Sequence, residues 1–222
     1  EISCSLVGSE MCIRDRNKGI HAVKINAKNG SGLKSIQGVI NEACKEKIER
    51  DRKRGILNRP IRAMVVGIPN VGKSTFINAY AGRNCAKTGN MPGVTKGKQW
   101  IRLNKNVELL DTPGILWPKF SDEQVGVRLA LVGSINDQII NMTELSYELI
   151  KFMRGNYSGR LAERYSVDEN KEPYEVLSDI AIARACLKKG GEPDEEKAIK
   201  LLFDDFRSGK LGRVSLESPE QA

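Results

Sequence analysis

The sequence predicts an α/β domain with a mainly parallel sheet, followed by a domain made only of helices. Strand-like and helix-like segments alternate over the first half of the chain, which is typical of a layered α/β architecture. Beyond this half, apolar residues recur only at helical spacing. We therefore predict an α/β domain over residues 17–122 and an all-α domain over residues 123–222.

Composition and charge limit the classes of protein that the chain can belong to. With 222 residues, of which 40% are hydrophobic and 29% charged, it has the composition of an ordinary globular protein. The net charge of +8 is consistent with an anionic partner, and equally with a basic surface that has no specific partner. No apolar run approaches the ~18 residues that a membrane helix needs, so we expect no membrane partner. The five cysteines show no metal-ligand spacing, and we interpret them as reduced thiols in a cytoplasmic protein.

The first segments lead from an irregular stretch into a strand and a helix. Residues 1–16 (EISCSLVGSEMCIRDR) lack any periodicity, and we interpret them as a non-native or disordered segment. Residues 20–26 alternate apolar and polar positions, which predicts a strand, and residues 27–32 predict a turn. Residues 33–54 carry apolar side chains at helical spacing and end at Gly55, which predicts one amphipathic helix. Its basic far end is interleaved with acidic residues, which favours a solvated face over a nucleic-acid site.

Residues 67–75 (GIPNVGKST) fit the phosphate-binding pattern G-x-x-x-x-G-K-[ST]. The apolar run at residues 61–66 predicts the strand before this loop, and residues 73–81 predict the helix after it. Glycines allow backbone N–H groups to close around phosphates at a helix N-terminus. Lys73 would add a positive charge at the phosphates, and the Ser74 hydroxyl would ligate Mg²⁺. The pattern therefore predicts a site for a nucleoside triphosphate or diphosphate.

Two further motifs favour a GTPase over other phosphate-binding proteins. Residues 84–98 predict a polar, glycine-rich loop, in which the Thr95 hydroxyl would ligate Mg²⁺ only while the γ-phosphate is present. Two strands predicted at residues 99–103 and 107–110 form a hairpin that ends in DTPG. There, Asp111 would hold the magnesium shell and the N–H of Gly114 would contact the γ-phosphate. We therefore predict that Lys73, Thr95 and Gly114 act in catalysis, and that Ser74, Thr95 and Asp111 hold the metal.

The residue after DTPG is Ile115, whose aliphatic side chain cannot orient a water molecule. We expect intrinsic hydrolysis to be slow, on the order of 10⁻⁴ s⁻¹, and a partner or another part of the chain to supply the missing group. His21 is the only histidine and lies in a predicted strand far from this loop. We interpret it as a structural residue.

The segment that would recognise the base precedes the phosphate loop. Guanine specificity normally needs N-K-x-D, and this motif is not found after DTPG. Residues 26–28 (NAK) instead resemble the S-A-K loop that contacts the base. The order of the elements is therefore permuted, with the base loop first, then the phosphate loop, then the switches.

The predicted elements after residue 121 are all helices, and two of them begin at a proline. Basic residues concentrate near the end of the chain, and if this domain binds RNA electrostatically, Arg207, Lys210 and Arg213 are the predicted contacts to RNA phosphates. The predicted helices span residues 123–132, 143–153, 159–165, 174–188 and 195–207.

Over residues 19–219 the sequence resembles the circularly permuted GTPases. The motifs that carry the resemblance are GIPNVGKST at 67–75, PGVTKGKQW at 92–100, DTPGILWPKF at 111–120 and FRSGKLGRVSLESP at 206–219. The resemblance implies a circularly permuted P-loop NTPase domain that acts late in bacterial large-subunit assembly and binds rRNA partly through its helical C-terminal domain. It also implies GTP/GDP and Mg²⁺ as cofactors, and the large ribosomal subunit precursor with its rRNA and ribosomal proteins as partners of a monomeric protein.

The resemblance also assigns individual residues. Asn70 matches a position that helps to hold K⁺ in related GTPases, so potassium dependence is a further expectation. The family's N-terminal segment, with N-K-x-D and a histidine proposed to act in catalysis, has no counterpart here. We therefore expect the chain to be N-terminally truncated, to lack two sheet strands and to bind guanine weakly. The nucleotide contacts implied by the resemblance are Asn26, Ala27, Asn70, Val71, Gly72, Lys73, Ser74, Thr75 and Gly114.

Three functions are compatible with the sequence. The first is a GTPase that docks on the maturing large subunit and hydrolyses GTP to signal completion or to leave. The second is a nucleotide-dependent RNA-binding module in which hydrolysis is incidental, and stimulation of turnover by the ribosome would separate it from the first. The third is an ATP-using enzyme or small-molecule kinase. It would need an acceptor-substrate site, for which the sequence offers no candidate residues.

Overall fold

The computed structural model describes residues 18–57, 59–87, 89, 97, 99–114, 116 and 122–217. These described residues divide into two compact units, with the boundary between residues 118 and 119. We call the part before this boundary the first unit and the part after it the second unit. The predictions for Thr95, Ile115 and residues 1–16 concern positions outside the described residues.

The first unit is built on a three-stranded sheet. Strand β1 (Ile61–Val65) lies parallel to β3 (Val107–Asp111), and β2 (Gln99–Arg102) lies antiparallel to β3, which is central. The sheet is therefore mixed in the described residues, whereas the sequence predicts a mainly parallel one. The predicted hairpin is confirmed, because β2 and β3 are antiparallel neighbours joined by a short turn. In this turn, Asn104 Oδ1 accepts hydrogen bonds of 2.8 Å from the N–H of Asn106 and 2.9 Å from the N–H of Val107.

The helices of the first unit follow the prediction with one break. Helices α1 (Leu33–Ala43) and α2 (Lys45–Lys53) replace the single helix predicted over residues 33–54, because Cys44 departs from helical geometry with φ −104° and ψ 10°. No residue within these two described helices is fully buried, although Ile40 of α1 is partly buried and packs against the core of this unit. Helix α3 (Lys73–Ala81) ends at Gly82, as predicted.

Residues 20–26 do not form the predicted strand. Only Asn26 pairs, in an isolated antiparallel bridge with Ser31. A strand needs a neighbour for its backbone N–H and C=O groups, and the described residues of this unit offer none beside this segment. Ile20 and Ile25 accordingly remain exposed.

The core of the first unit lies between α3 and the sheet. Ile77 of α3 is fully buried against Ile101, Val107 and Leu109 of the two hairpin strands. Residues 66–72 connect β1 to α3, so the burial of α3 on the sheet fixes both ends of this connection. Sheet and helix thereby determine where the phosphate-binding loop lies.

The described part of the second unit contains helices packed around one apolar cluster. Leu149, Leu177 and Leu202, on three different helices, are fully buried in it. None of the described helices is long and apolar enough to cross a membrane. The helices are α4 (Glu123–Leu131), a 3₁₀ turn (Asp137–Ile139), α5 (Met142–Asn156), α6 (Arg160–Tyr165), α7 (Pro173–Ala183) and α8 (Glu195–Arg207).

Of the predicted helices in this unit, α8 has the predicted bounds and α7 is shorter than predicted. Helix α7 ends at Ala183 rather than at residue 188 because Ala185 turns to φ 52°. The N–H of Cys186 then donates to the carbonyl of Ala181 at 2.8 Å, which closes the helix end. A left-handed alanine is rare, so helical spacing alone could not reveal this stop.

Two of the three basic residues predicted to contact RNA make internal contacts instead. Arg207 donates to both carboxylate oxygens of Asp137 at 2.7 and 2.8 Å, and to the carbonyls of Leu131 and Ala130 at the end of α4 at 3.0 and 2.9 Å. Lys210 forms an ion pair of 3.0 Å with the buried carboxylate of Asp205. These side chains stabilise the second unit, so replacing them would not isolate an effect on RNA binding.

Candidate functional site

The predicted phosphate-binding loop joins β1 to α3 in the described structure. Gly72, the residue before α3, has a left-handed conformation with φ 90° that a residue with a side chain would rarely adopt. Because Gly72 has no side chain to cap the helix, the N–H groups of the first turn can bind an anion, and the helix dipole favours negative charge there. Asn70, two residues earlier, is also left-handed, with φ 61°. The loop therefore has the backbone shape that a phosphate site requires.

Lys73 folds its side chain back over this loop. Its Nζ donates to the carbonyls of Gly67 at 3.0 Å and Ile68 at 2.7 Å, so the ammonium lies inside the loop. Partial burial lowers the pKa of Lys73, and the negative charge of Asp111 opposes this shift. The structure thus brings the Lys73 charge and the Asp111 carboxylate into one electrostatic environment, although 38 residues separate them in sequence.

Asp111 is the last residue of β3, and it is buried, with 2% of its surface exposed. Burial raises the pKa of its carboxyl group, while the charge of Lys73 and the backbone N–H of Thr112 lower it in part. Its Oδ1 is buried and has no hydrogen-bond partner among the residues that the structure describes. A buried carboxylate oxygen without a partner is unfavourable, and such an oxygen is well suited to a cation or to the cation's water shell.

The donor set fits Mg²⁺ held together with nucleotide phosphates. Asp111 supplies a carboxylate, and Ser74 supplies a hydroxyl in the first turn of α3. Within the described residues, no three His, Cys, Asp or Glu side chains cluster as a metal site. Mg²⁺ commonly binds through one or two protein oxygens and the phosphates of its substrate, so it does not need such a cluster. Thr95, the third predicted ligand, lies outside the described residues.

The DTPG segment lies against the phosphate-binding loop. Thr112 Oγ1 donates to the carbonyl of Val65 at 2.8 Å, which ties the end of β3 to the end of β1. A Cβ atom on Gly114 would lie 2.6 Å from both the Cα and the N of Pro69, so only glycine allows this approach. The structure therefore brings together the two segments that the sequence assigns to the phosphates.

The predicted base loop is a tight turn. Asn26 Oδ1 accepts hydrogen bonds from the N–H groups of Lys28 at 2.9 Å and Asn29 at 3.2 Å, and the N–H of Asn26 donates to the carbonyl of Ser31. The side-chain oxygen of Asn26 thus organises the loop itself. The neighbouring Ala27 faces an open cavity of about 630 Å³.

This cavity joins the base loop to the helix that follows the phosphate-binding loop. Ala27 and Thr75, both predicted nucleotide contacts, line it together. Its volume lies in the range of small-molecule sites, about 300–1,000 Å³. The residues that line it are Ala27, Lys28, Thr75, Asn78, Ala79, Gly82, Arg83 and Asn84.

Sequence reasoning did not identify two residues that organise the site, Thr112 and Asn78. Thr112 joins two strand ends, as described above, and Asn78 on α3 binds the backbone of residues 85 and 86 through its carboxamide. The sequence does contain one indication of the role of Asn78, since it places a carboxamide among the apolar and small residues of a helix that packs on a sheet. Such a position favours a specific hydrogen-bond partner, but the sequence does not say which one.

Comparison with known proteins identifies related GTPases. A family model described as 50S ribosome-binding GTPase matches residues 62–177, more than half of the chain. Ribosome biogenesis GTPase A of Bacillus cereus is 47% identical over 207 residues, which cover 93% of this chain and 70% of that protein. Ribosome biogenesis GTPase A of Thermotoga maritima is 40% identical over 173 residues, which cover 76% of this chain and 60% of that protein.

Solved structures show the same similarity. The GNP-bound crystal structure of YlqF from T. maritima has a TM-score of 0.61 and 30% sequence identity, and covers 100% of this chain and 79% of that one. A GDP-bound YlqF structure has a TM-score of 0.61 and 28% identity, with 99% of this chain and 80% of that one covered.

Proposed function

The chain belongs to the family of 50S ribosome-binding GTPases, and from this premise we propose that it is a GTP-controlled switch in late assembly of the large ribosomal subunit. As a member of this family it is a GTP-hydrolysing enzyme. The observation that carries the proposal is the contact of Gly114 with Pro69. Gly114, the residue assigned to the γ-phosphate, lies against the phosphate-binding loop. Binding or loss of the γ-phosphate would therefore change the conformation of the segment that follows Gly114.

The proposed roles follow from the chemistry of each side chain. Lys73 and the first turn of α3 bind the β- and γ-phosphates, and the N–H of Gly114 contacts the γ-phosphate. Ser74, Asp111 and Thr95 would hold Mg²⁺, which would neutralise charge on the phosphates. The remaining assigned contacts, Asn26, Ala27, Asn70, Val71, Gly72 and Thr75, position the base and the phosphates in a circularly permuted order of elements.

We assign binding of rRNA and the precursor particle to the helical domain over residues 123–222, which is part of the second unit. Lys188, Lys189, Lys200 and Arg213 are exposed, and they replace Arg207 and Lys210 as candidate phosphate contacts. Charge of this kind supports binding to the RNA backbone without selecting a sequence. A monomeric protein in the cytoplasm would meet the assembling particle through this surface.

Stimulation of GTP hydrolysis by large ribosomal subunits tests the proposed function. The chain has Ile115 at the position where a side-chain amide could orient the attacking water. We therefore expect the protein to hydrolyse GTP slowly by itself, and at least about ten times faster with large subunits or their precursors. Phosphate release under single-turnover conditions measures this, with small subunits as the particle control. Equal rates with both particles would contradict the proposal and favour a nucleotide-dependent binding module.

Potassium is the proposed monovalent cofactor. Asn70 lies in the phosphate-binding loop in a left-handed conformation, and an amide oxygen at this place could hold K⁺ beside the phosphates. We expect hydrolysis to be about tenfold faster in KCl than in NaCl at equal ionic strength, because K⁺ would add one charge contact in the transition state. Asn70→Ala should remove the difference, whereas equal rates of the unaltered protein in both salts would exclude a potassium site.

A further inference from the structure

We propose that Asn78 is a positioning residue for the nucleoside part of the nucleotide, because it binds residues 85 and 86 and so holds the segment from which Asn84 lines the cavity of about 630 Å³. This inference rests on the proposed function, since it takes the cavity to receive the nucleoside of GTP and GDP. Asn78 acts through the backbone that it binds and is assigned no contact with the reacting phosphates.

The Asn78 carboxamide makes three hydrogen bonds to one short segment. Its Oδ1 accepts from the N–H of Cys85 at 2.9 Å and from the N–H of Ala86 at 2.8 Å, and its Nδ2 donates to the carbonyl of Ala86 at 2.8 Å. The segment follows Gly82, the left-handed residue that ends α3, so it turns back along the helix that it has just left. Ala86 is buried in the core of the first unit, which secures the far end of the segment.

The side of α3 on which Asn78 lies also lines the cavity. Thr75, Asn78, Ala79 and Gly82 line it at intervals i, i+3, i+4 and i+7, the spacing of one side of a helix. Asn84 lines it from the segment that Asn78 holds, and Ala27 lines it from the base loop. The cavity therefore has one wall fixed by the helix, one by the base loop and one by the Asn78 hydrogen bonds.

Only asparagine supplies this set of bonds from this position. Alanine removes all three bonds. Glutamine is longer by one methylene group, so residues 85 and 86 would have to move to keep the bonds. Aspartate keeps two acceptor contacts, but its carboxylate would face the Ala86 carbonyl with an oxygen in place of a donor. When the bonds are absent, the nucleoside must order residues 84–86 as it binds, and the conformational entropy of that ordering weakens binding.

Calorimetric titration with GDP and with inorganic pyrophosphate tests the inference. Pyrophosphate can occupy the phosphate-binding loop, but it has no nucleoside to place in the cavity. For Asn78→Ala we expect about tenfold weaker GDP binding, equivalent to about 1.4 kcal/mol. The affinity of this variant for pyrophosphate should stay within about twofold of that of the unaltered protein. The ratio of the GDP and pyrophosphate affinities therefore measures the contribution of the cavity wall to nucleoside binding. Asn78→Asp should give a smaller change of the same kind, and it replaces Asn78→Ala if that variant does not fold.

Asn104→Ala is the matched control. Asn104 also binds two backbone N–H groups in the first unit, but in the hairpin turn and not beside the cavity. It should leave the ratio of GDP to pyrophosphate affinity unchanged. Equal losses of GDP and pyrophosphate affinity in the Asn78 variants, or an unchanged GDP affinity, would overturn the inference. Failure of the unaltered protein to bind GDP would instead refute the proposed function.

Discussion

The Lys73→Ala variant is expected to hydrolyse GTP roughly 100 to 1,000 times more slowly than the unaltered protein while keeping its fold. The Lys73 ammonium lies inside the phosphate-binding loop, 3.0 Å from the carbonyl of Gly67 and 2.7 Å from that of Ile68. It is therefore positioned to stabilise negative charge that develops on the phosphates. Both carbonyls lie in a loop that is at least partly exposed, so water can replace the ammonium and folding should change little.

Single-turnover phosphate release at saturating GTP measures the effect on the reaction, and thermal unfolding followed by circular dichroism checks the fold. Lys105→Ala is the matched control, because Lys105 is an exposed lysine in the hairpin turn of the same unit. It should change neither measurement. If Lys73→Ala kept more than half of the activity, another group would have to supply the charge at the phosphates, and the assignment of Lys73 would be wrong.

The first unit could be predicted from sequence where its signals are local. The hairpin turn depends on Asn104, whose bonds span two and three residues, and the phosphate-binding loop is read from nine consecutive residues. The strand predicted at residues 20–26 is wrong for the opposite reason. Alternation of apolar residues indicates that a segment can form a strand, but only a neighbouring strand can satisfy its backbone.

Residue roles that depend on distant partners were beyond sequence reasoning. Basic residues near the end of the chain predicted an RNA contact, yet Arg207 binds Asp137 and the end of α4, 70 to 77 residues away. Within the candidate site, the residue types of Lys73, Ser74, Asp111 and Gly114 predict roles in phosphate and Mg²⁺ binding, because phosphate binding restricts which residues can serve, and these roles remain predictions. Asn78 carries no such restriction in the sequence, so its role emerges only from its bonds to residues 85 and 86.

In the second unit, Asp205 is a fully buried carboxylate at the centre of a hydrogen-bonded cluster. Its Oδ2 accepts from Arg164 at 2.9 Å and from the Tyr165 hydroxyl at 3.2 Å, and its Oδ1 accepts from Lys210 at 3.0 Å. Burial alone would raise the pKa of Asp205, but the hydrogen bonds from Lys210 and Arg164 outweigh it, so the pKa lies below its ordinary value. Burial and the charge of Asp205 raise the pKa of Tyr165, which stays a neutral donor at neutral pH.

Asp205→Ala is expected to destabilise the second unit by about 3 kcal/mol. The Tyr165 hydroxyl would lose its acceptor while it stays buried, whereas Arg164 and Lys210 are 33% and 56% exposed and can recover water. The loss should therefore be near the lower end of the cost of breaking a buried ion pair, about 3–5 kcal/mol. Hydrogen-exchange mass spectrometry on peptides from α6 and α8 measures the free energy of opening in the full chain.

Asp179→Ala provides the matched control, because Asp179 pairs with Lys171 at 2.7 Å on the surface of the same unit. That exposed pair should contribute no more than about 1 kcal/mol. If both variants lost the same free energy of opening, the Asp205 cluster would stabilise the unit no more than a surface ion pair does.

The stabilisation by Asp205 should also depend on pH in a defined direction. Because the pKa of Asp205 is lower in the folded protein than its unfolded value of about 3.9, the ionised carboxylate stabilises the fold fully above that value. The stabilisation is lost as the pH falls through the folded pKa. Asp205→Asn cannot ionise, so its deficit in opening free energy should be largest at neutral pH and shrink below about pH 4. Glu169, whose pKa is also lowered, is present in both proteins, so its contribution cancels in this difference. A deficit that stayed constant from pH 7 to about pH 3 would mean that packing, rather than the charge of Asp205, provides the stabilisation.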